Sequence, residues 1–337
     1  MSSYNYQRKD IQTYLEGQYT KGLMRTQYLD DHSIEKLVSN IGIFKLKGYA
    51  YAFKPNVNHH SIDDVLLLYF FDKYITKYLM DMSSAIETKL KSILIEQCYQ
   101  RTQNPFFYLA TKHHKNARFF INKETEKNWK NAQHAINSGE SYSHYGLYYR
   151  QKYGFLFNQR RYLNGETLIQ INSNINYPPF HYLIESATLG VVIHFIKSLK
   201  IGNFDLLKNI AHSFGIANPS TFEPYLERLN EIRNRAAHRE RLFNRSYRSV
   251  IGVGSFHTLR TSVSDHKLVD VYMFLFFLLG KLDSFSSYAE FETTEIERIF
   301  RGFKSDSFMR NESNRLTKKV KRKQMEQIKK FILRGMK

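Results

Sequence analysis

The sequence is poor in the residues that mark several specialised protein classes. It holds one cysteine, Cys98, in 337 residues. One thiol cannot make an internal disulfide or a thiolate metal cluster, so a cytoplasmic setting is expected. Six prolines and 16 glycines are few, which excludes fibrous and low-complexity classes and favours long helices. Tryptophan occurs once, at Trp129. Met1 to Asp10 is polar and lacks the apolar stretch of a secretory signal. The most apolar run, Val271 to Leu279, is bracketed by Asp270 and Lys281. It is far shorter than the ~20 residues of a spanning helix and reads as a buried core helix, with no membrane insertion expected. There is no G-x4-G-K-(S/T) or G-x-G-x-x-G loop. His59–His60 and His113–His114 are sequence neighbours that point in different directions, and no HExxH helix is present. Neither a metal nor any other cofactor is therefore expected.

Acidic residues are also scarce beside basic ones. Lys and Arg number 50 against 31 Asp and Glu, a formal net charge of +19, with a pI near 9.7. Such a field attracts polyanions, and phosphate contacts add counterion release. Nucleic acid is the first partner to consider and an anionic membrane surface the second. Apolar residues make up 42% of the chain, enough for a sizeable core.

The hydrophobic pattern predicts a mainly all-α fold. Ser33 to Ile41 has the period of a short amphipathic helix, stopped by Gly42. Tyr49, Tyr51 and Phe53 alternate, as in a strand or an aromatic strap. From 62 to 100 there is neither Gly nor Pro. Phe71, Ile75, Tyr78, Leu79, Met82, Ile86, Leu90, Ile93 and Leu94 recur at helical steps, with Asp72, Lys73, Lys77, Glu87, Lys89 and Lys91 on a polar side. One long helix of roughly 60 Å, or two nearly collinear ones, is expected, with Ser61 and Asp64 as its N-terminal cap. Gly139 to Gly165 interleaves tyrosines with Arg150, Arg160 and Arg161. That mixture suits RNA, whose bases stack on rings while cations hold phosphates, and it equally suits an irregular hairpin packed on the core. Helices are predicted over 181–199, with Gly190 permitting close packing, and over Phe204–Phe214. Another should begin at the capping box Ser220–Glu223, with Pro224 ending its first turn. Further helices are predicted over 268–282 and 288–304. The tail beyond Arg315 is strongly basic, either on RNA or as a solvated end. Three parts result: an N-terminal mixed segment (1–60) packing on the core, a helical core (61–285) and a basic helical extension (286–337).

The segment with chemical content is EIRNRAAHRERLFNR, residues 231–245. Arg233 and His238 stand five apart, Asn234 follows the Arg, and Arg235, Arg239, Arg241 and Arg245 surround them. Metal-free RNA cleavage needs proton transfer at the 2′-hydroxyl and the leaving 5′-oxygen, and a cation on the phosphorane. Histidine suits the first because its ordinary pKa is near ~6.5. Arginine suits the second because its fork holds two oxygens and keeps its charge. Asparagine can orient either. On a straight helix the pair lies about 140° apart at ~100° per residue, so both serve one pocket only if the Arg reaches round or the helix ends near His238. A two-fold dimer would supply two histidines and two arginines to one cleft. Spacing alone leaves chance pairing open.

RNRAAH resembles the R-(N/D/H)-x-x-x-H form of the signature of HEPN ribonucleases. Four stretches are similar to the Abi-like abortive-infection family (the AbiD/AbiF group): IGIFKLKGYAYAFKP (41–55), FFDKYITKYLMDMSSAIETKLKSIL (70–94), PPFHYLIESATLGVVIHFIKSL (178–199) and LNEIRNRAAHRERLFNR (229–245). The family often has Trp where His181 and Phe243 stand here. The resemblance implies a HEPN-like bundle with long central helices, usually dimeric, and irregular aromatic and basic insertions. It implies a metal-independent endoribonuclease toxin of a phage-defence system. His238 would be the acid/base, Arg233 the phosphate holder and Asn234 the positioning group. Arg235, Arg239, Arg241, Arg245, Arg150, Arg160 and Arg161 would contact RNA, and a small structured RNA would restrain the toxin, as in toxin–antitoxin pairs. A neighbouring HEPN subgroup has Tyr two residues after the His; here that position is Glu240, so its Tyr modification is not implied. The competing function is a non-catalytic RNA-binding helical module.

Overall fold

The computed structural model describes residues 10–115, 162–169 and 177–247, with the single positions Leu268, Val271, Phe274, Leu275, Leu278 and Lys330 beyond them. Three short helices come first: α1 (Ile11–Tyr19), α2 (Asp31–Ile41) and α3 (Ile43–Ala50), the last continuing as a 3₁₀ segment over Tyr51–His59. Asp10 and Asp30 start α1 and α2 by accepting the N–H groups of Thr13 and Ser33, each at 2.7 Å. Then α4 runs unbroken over Ile62–Tyr99, 38 residues, or about 57 Å at ~1.5 Å per residue. After two 3₁₀ turns come α5 (Phe180–Ser186) and α6 (Leu189–Ser198). A two-residue hairpin follows, β1 (Lys200–Ile201) against β2 (Phe204–Asp205), with Gly202 at φ 61° in the turn. Last come α7 (Leu206–Ser213) and α8 (Pro219–Ala237).

One core surrounds α4. From Ile62 to Thr76 nearly every side chain of that helix is buried, because α3 and α8 pack along it. Its C-terminal half buries a narrower stripe, Leu79, Ser83, Ile86, Glu87, Leu90, Ile93, Leu94 and Cys98, against α5 and α6. Such stripes, not helix propensity, supply most of the stability of helices in proteins. Cys98 lies in this core, and burial pushes its thiol up to about 12, which leaves it a small apolar group. Among the described residues, no helix is long and apolar enough to cross a membrane. The mainly helical fold and the long helix are as the sequence predicts. Leu268, Val271, Phe274, Leu275 and Leu278 are helical and buried, a core stripe at three- and four-residue steps within the predicted 268–282 helix. The predicted helix at 288–304 lies outside the described residues.

Several local expectations are corrected. Tyr49, Tyr51 and Phe53 do not form a strand: Leu46, Tyr49 and Phe53 are the buried side of a helical turn, and their three- and four-residue steps outweigh the alternation. Residues 181–199 are two helices, broken at Ala187–Thr188, where Ser186 turns its hydroxyl back to the Tyr182 carbonyl at 2.9 Å. Gly190 is not required for close approach, since a Cβ there would meet Asn230 at an ordinary 3.8 Å. Phe204 belongs to the hairpin, and Asp205 caps α7. At the head of α4, Asp64 accepts the Ser61 N–H at 3.0 Å, so Asp does the work of the usual Glu. Asp72 and Glu87 are not on a solvent face but buried.

Helix α8 begins earlier than its Ser220–Glu223 pattern suggests. Asn218 is the cap, its Oδ1 accepting the Ser220 N–H at 3.0 Å, and Pro219 occupies the first helical position, where its fixed φ helps and its missing N–H costs nothing. Pro224 therefore sits inside the helix rather than at its first turn. Asn218→Ala should destabilise the protein by ~1 kcal/mol in urea unfolding. Ser220→Ala, which keeps the bonded N–H, should cost less; the reverse ranking would show that the cap is misplaced.

Candidate active site at the end of helix α8

Helix α8 lies antiparallel along α4. Arg233 meets Glu87, and the residues just past the helix meet Asp72. Leu226, Leu229, Ile232 and Ala236 bury one side of α8, whereas Asn234, Ala237 and His238 face solvent.

The helix stops at His238, the condition under which Arg233 and His238 can serve one place. His238 is the C-cap at φ −80°, ψ 2°, its N–H donating to the Asn234 carbonyl at 2.9 Å. Beyond it, Arg239 N–H reaches the Ala236 carbonyl and Glu240 N–H the Arg235 carbonyl, both at 3.0 Å. This is a Schellman closure. The closing residue is ordinarily glycine because φ is positive there; here it is Arg239, at φ 51°. An L side chain in that region costs roughly 1–2 kcal/mol.

Arg233 is three-quarters buried and held at one atom. Its Nε donates to Glu87 Oε2 at 3.0 Å, while Lys91 Nζ contacts Glu87 Oε1 at 2.9 Å. One buried carboxylate thus carries two cations, and the cluster keeps a net positive charge. Among the described residues the two Nη groups of Arg233 take no partner, so the end of the fork is unoccupied. The His238 ring is exposed and makes no hydrogen bond to a described residue. Two other histidines are engaged in the fold. His114 Nε2 lies 2.6 Å from the Tyr108 carbonyl, and burial lowers its pKa; His181 pairs with the Tyr99 hydroxyl at 2.8 Å.

The segment after His238 is fixed by Asp72, which is 1% exposed. Its Oδ1 accepts Phe243 N–H at 2.7 Å, and its Oδ2 accepts Leu242 N–H at 3.0 Å and the Tyr49 hydroxyl at 2.6 Å. Burial raises the pKa of this carboxyl above its usual range, and those donors together with the Arg241 charge offset only part of that rise. Arg241 donates to the Gly48 carbonyl on α3. A Cβ at Gly48 would sit 3.2 Å from that guanidinium, so the absent side chain makes the approach possible. Lys45 Nζ reaches the Arg239 carbonyl at 3.3 Å. Three ties thus join α3, α4 and the end of α8.

The other expected residues scatter around this point. Asn234 Nδ2 donates to Asn230 Oδ1 at 3.4 Å, and the Asn234 carbonyl is the group that accepts the His238 N–H. Arg235 pairs with Glu231 at 2.8 Å and lies over the Tyr247 ring, 5.3 Å from its centroid. Arg239 and Arg245 are exposed. Arg150, Arg160 and Arg161 lie outside the described residues. Sequence reading missed Glu87, Lys91, Asp72 and Tyr49 as parts of the site. The i,i+4 spacing of Glu87 and Lys91 is a signal for their pairing; nothing local marks Asp72, whose partners come from 23 to 171 positions away. A cleft of about 700 Å³ opens beside the helix end, between α2–α3, α4 and α8, lined by Lys45, Tyr69, Lys73, Lys77, Ala237 and Arg239, with Asp81 and Glu240. Among the described residues no three His, Cys, Asp or Glu side chains gather as a metal site.

Fold and site together define a helical protein with an Arg–x4–His pair at an exposed helix end, backed by a buried carboxylate. The family profile described as Abi-like protein matches residues 36–244, and the chain belongs to that family, whose name ties it to abortive infection. The match runs from α2 past Phe243 and includes Asp72, Glu87, Arg233 and His238. No curated protein and no solved structure matches the chain.

Asp72→Ala strands two buried N–H groups and a hydroxyl, and should destabilise the protein by about 3 kcal/mol or more; Tyr49→Phe, removing one donor, should cost ~1 kcal/mol. Equal losses in denaturant titration would mean that the carboxylate is not the anchor. Arg239→Gly should raise stability by ~1 kcal/mol, because glycine adopts positive φ freely. A lowered melting temperature would place the value of Arg239 in contacts rather than backbone.

Proposed function

We propose that this Abi-like protein is a metal-independent endoribonuclease of the HEPN type, acting as a toxin in abortive infection. The supporting observation is an exposed imidazole at the end of α8 and, one turn back on the same helix, an arginine, which among the described residues make no side-chain hydrogen bond or ion pair beyond the Arg233 Nε–Glu87 bond. Anchoring at Nε by Glu87 aims the guanidinium and leaves its Nη groups for two oxygens of one phosphate. The 2′-oxygen attacks phosphorus, the bond to the 5′-oxygen breaks, one proton leaves the 2′-hydroxyl and one arrives on the 5′-oxygen. His238 handles one of these protons. Among the described residues one chain offers one such imidazole here, and the reading includes a two-fold pairing of α8 ends that brings a second. Glu87 is a positioning residue that keeps Arg233 aimed, and Lys91 keeps the cluster cationic.

Purified protein should cut RNA in the presence of EDTA and leave 2′,3′-cyclic phosphate and 5′-hydroxyl ends. His238→Ala should lower the cleavage rate by ~10²–10⁴-fold with RNA affinity retained. Arg233→Ala should weaken both, and Arg233→Lys should rescue poorly, because an ammonium lacks the fork. RNA binding without cleavage would leave a non-catalytic RNA-binding module as the better description, and full activity in His238→Ala would remove His238 from the reaction.

A further inference from the structure

The nuclease reading does not use the outer face of α3, yet that face has an unusual composition. Phe44 is 69% and Tyr51 66% exposed, the two most exposed large hydrophobic side chains among the described residues. They are seven residues apart on a continuous helical path, since Ala50 and Tyr51 keep right-handed helical dihedrals where α3 passes into the 3₁₀ segment. Seven residues are nearly two full turns, so both rings lie on one line, about 10 Å apart along the axis.

Cations border this line. On a helical wheel Lys47 falls to one side and Gly48 and Lys45 to the other. Gly48 is where Arg241 docks, and Lys45 reaches Arg239. Lys54 Nζ sits 5.3 Å from the Tyr51 ring centroid, a cation–π arrangement. From Lys36 to Ile62 there is no Asp or Glu. Asp72, which accepts the Tyr49 hydroxyl behind this face, is buried and hydrogen-bonded. Asp81 and Glu240 join Asp72 in lining the adjoining cleft, against Lys45, Lys73, Lys77 and Arg239.

Resting on the reading of RNA as substrate, we infer that the α3 face is a stacking platform for single-stranded RNA. Phe44 and Tyr51 take two unpaired bases, while Lys45, Lys47 and Lys54 hold the backbone and lead the strand toward His238. The ring spacing is wider than the ~3.4 Å repeat of stacked bases, so the bases have to be splayed, as only an unpaired strand allows. The ties from Lys45 to Arg239 and from Arg241 to Gly48 fix the platform to the residues that directly follow His238. A second copy of the chain is the other occupant such rings could take, but an all-cationic border repels its own image and attracts phosphate.

The test uses the full-length His238→Ala protein and a fluorescein-labelled oligoadenylate of about 12 nucleotides, within the usual site size. Phe44→Ala and Tyr51→Ala should each weaken binding by roughly fivefold or more, and Phe44→Tyr with Tyr51→Phe should restore it. An abasic strand of the same length should bind more weakly and ignore both ring deletions. The salt slope should be unchanged by the ring deletions and flattened by Lys45→Gln, Lys47→Gln and Lys54→Gln. Unchanged affinity in the alanine variants, no binding of the strand at all, or a dimer that the ring deletions dissociate in sedimentation would overturn the inference. A protein that cleaves RNA yet is indifferent to the rings sinks this inference alone. One that binds through the rings but never cleaves, as the wild type, sinks the nuclease reading alone.

Discussion

The Asp72 carboxylate is the interaction on which the rest of the arrangement hangs. A buried charge is unfavourable unless donors surround it, and here the donors come from three separate parts of the chain: Tyr49 at the end of α3, and the Leu242 and Phe243 amides beyond α8. Because each donor would be stranded without the carboxylate, the group specifies one register of α3, α4 and the 239–247 segment. Apolar packing alone would tolerate small slips among these elements. The exposed face of α8 owes its position to this buried contact.

Much of the architecture is legible in residue order. The helical steps from Phe71 to Leu94 are long and uninterrupted, and no competing pattern exists over that span. The Arg233–His238 spacing is equally plain, and its dependence on a helix ending at His238 follows from the wheel. Asp72 and Glu87 are not legible in this way. Periodicity sorts residues into apolar and polar sides, and it treats any acid on the polar side as solvated. Whether a polar side meets water or another polar element is decided by chain that returns much later; for Asp72 that chain is 170 residues on. The Tyr49–Phe53 region fails for the opposite reason, since two periods overlap in a short window and only packing on α4 selects between them.

Within the site, the division of labour follows burial. Glu87 and Asp72 are buried and act through other groups. Arg233 is half in each world, held at Nε inside and, among the described residues, without a partner at its outer end. His238 is outside altogether. This gradient lets one helix end be rigid where it is supported and accessible where chemistry would happen, which is the usual compromise of sites placed at the ends of regular elements. The arginine at the positive-φ closure fits the same pattern, because a backbone cost is carried where a cation faces the cleft.

The long separation between Asp72 and its amide partners also sets a schedule for synthesis. Contacts between distant parts of a chain require loop closure before they stabilise anything, and they form late. On a ribosome, α4 emerges and can fold against α3 well before residues 242 and 243 exist outside the tunnel. Until they do, Asp72 lacks two of its three donors and the end of α8 lacks its anchor. In the proposed toxin role this delay has a use: nascent chains, surrounded by the RNA of the translation machinery, have no assembled site until most of the chain has been released.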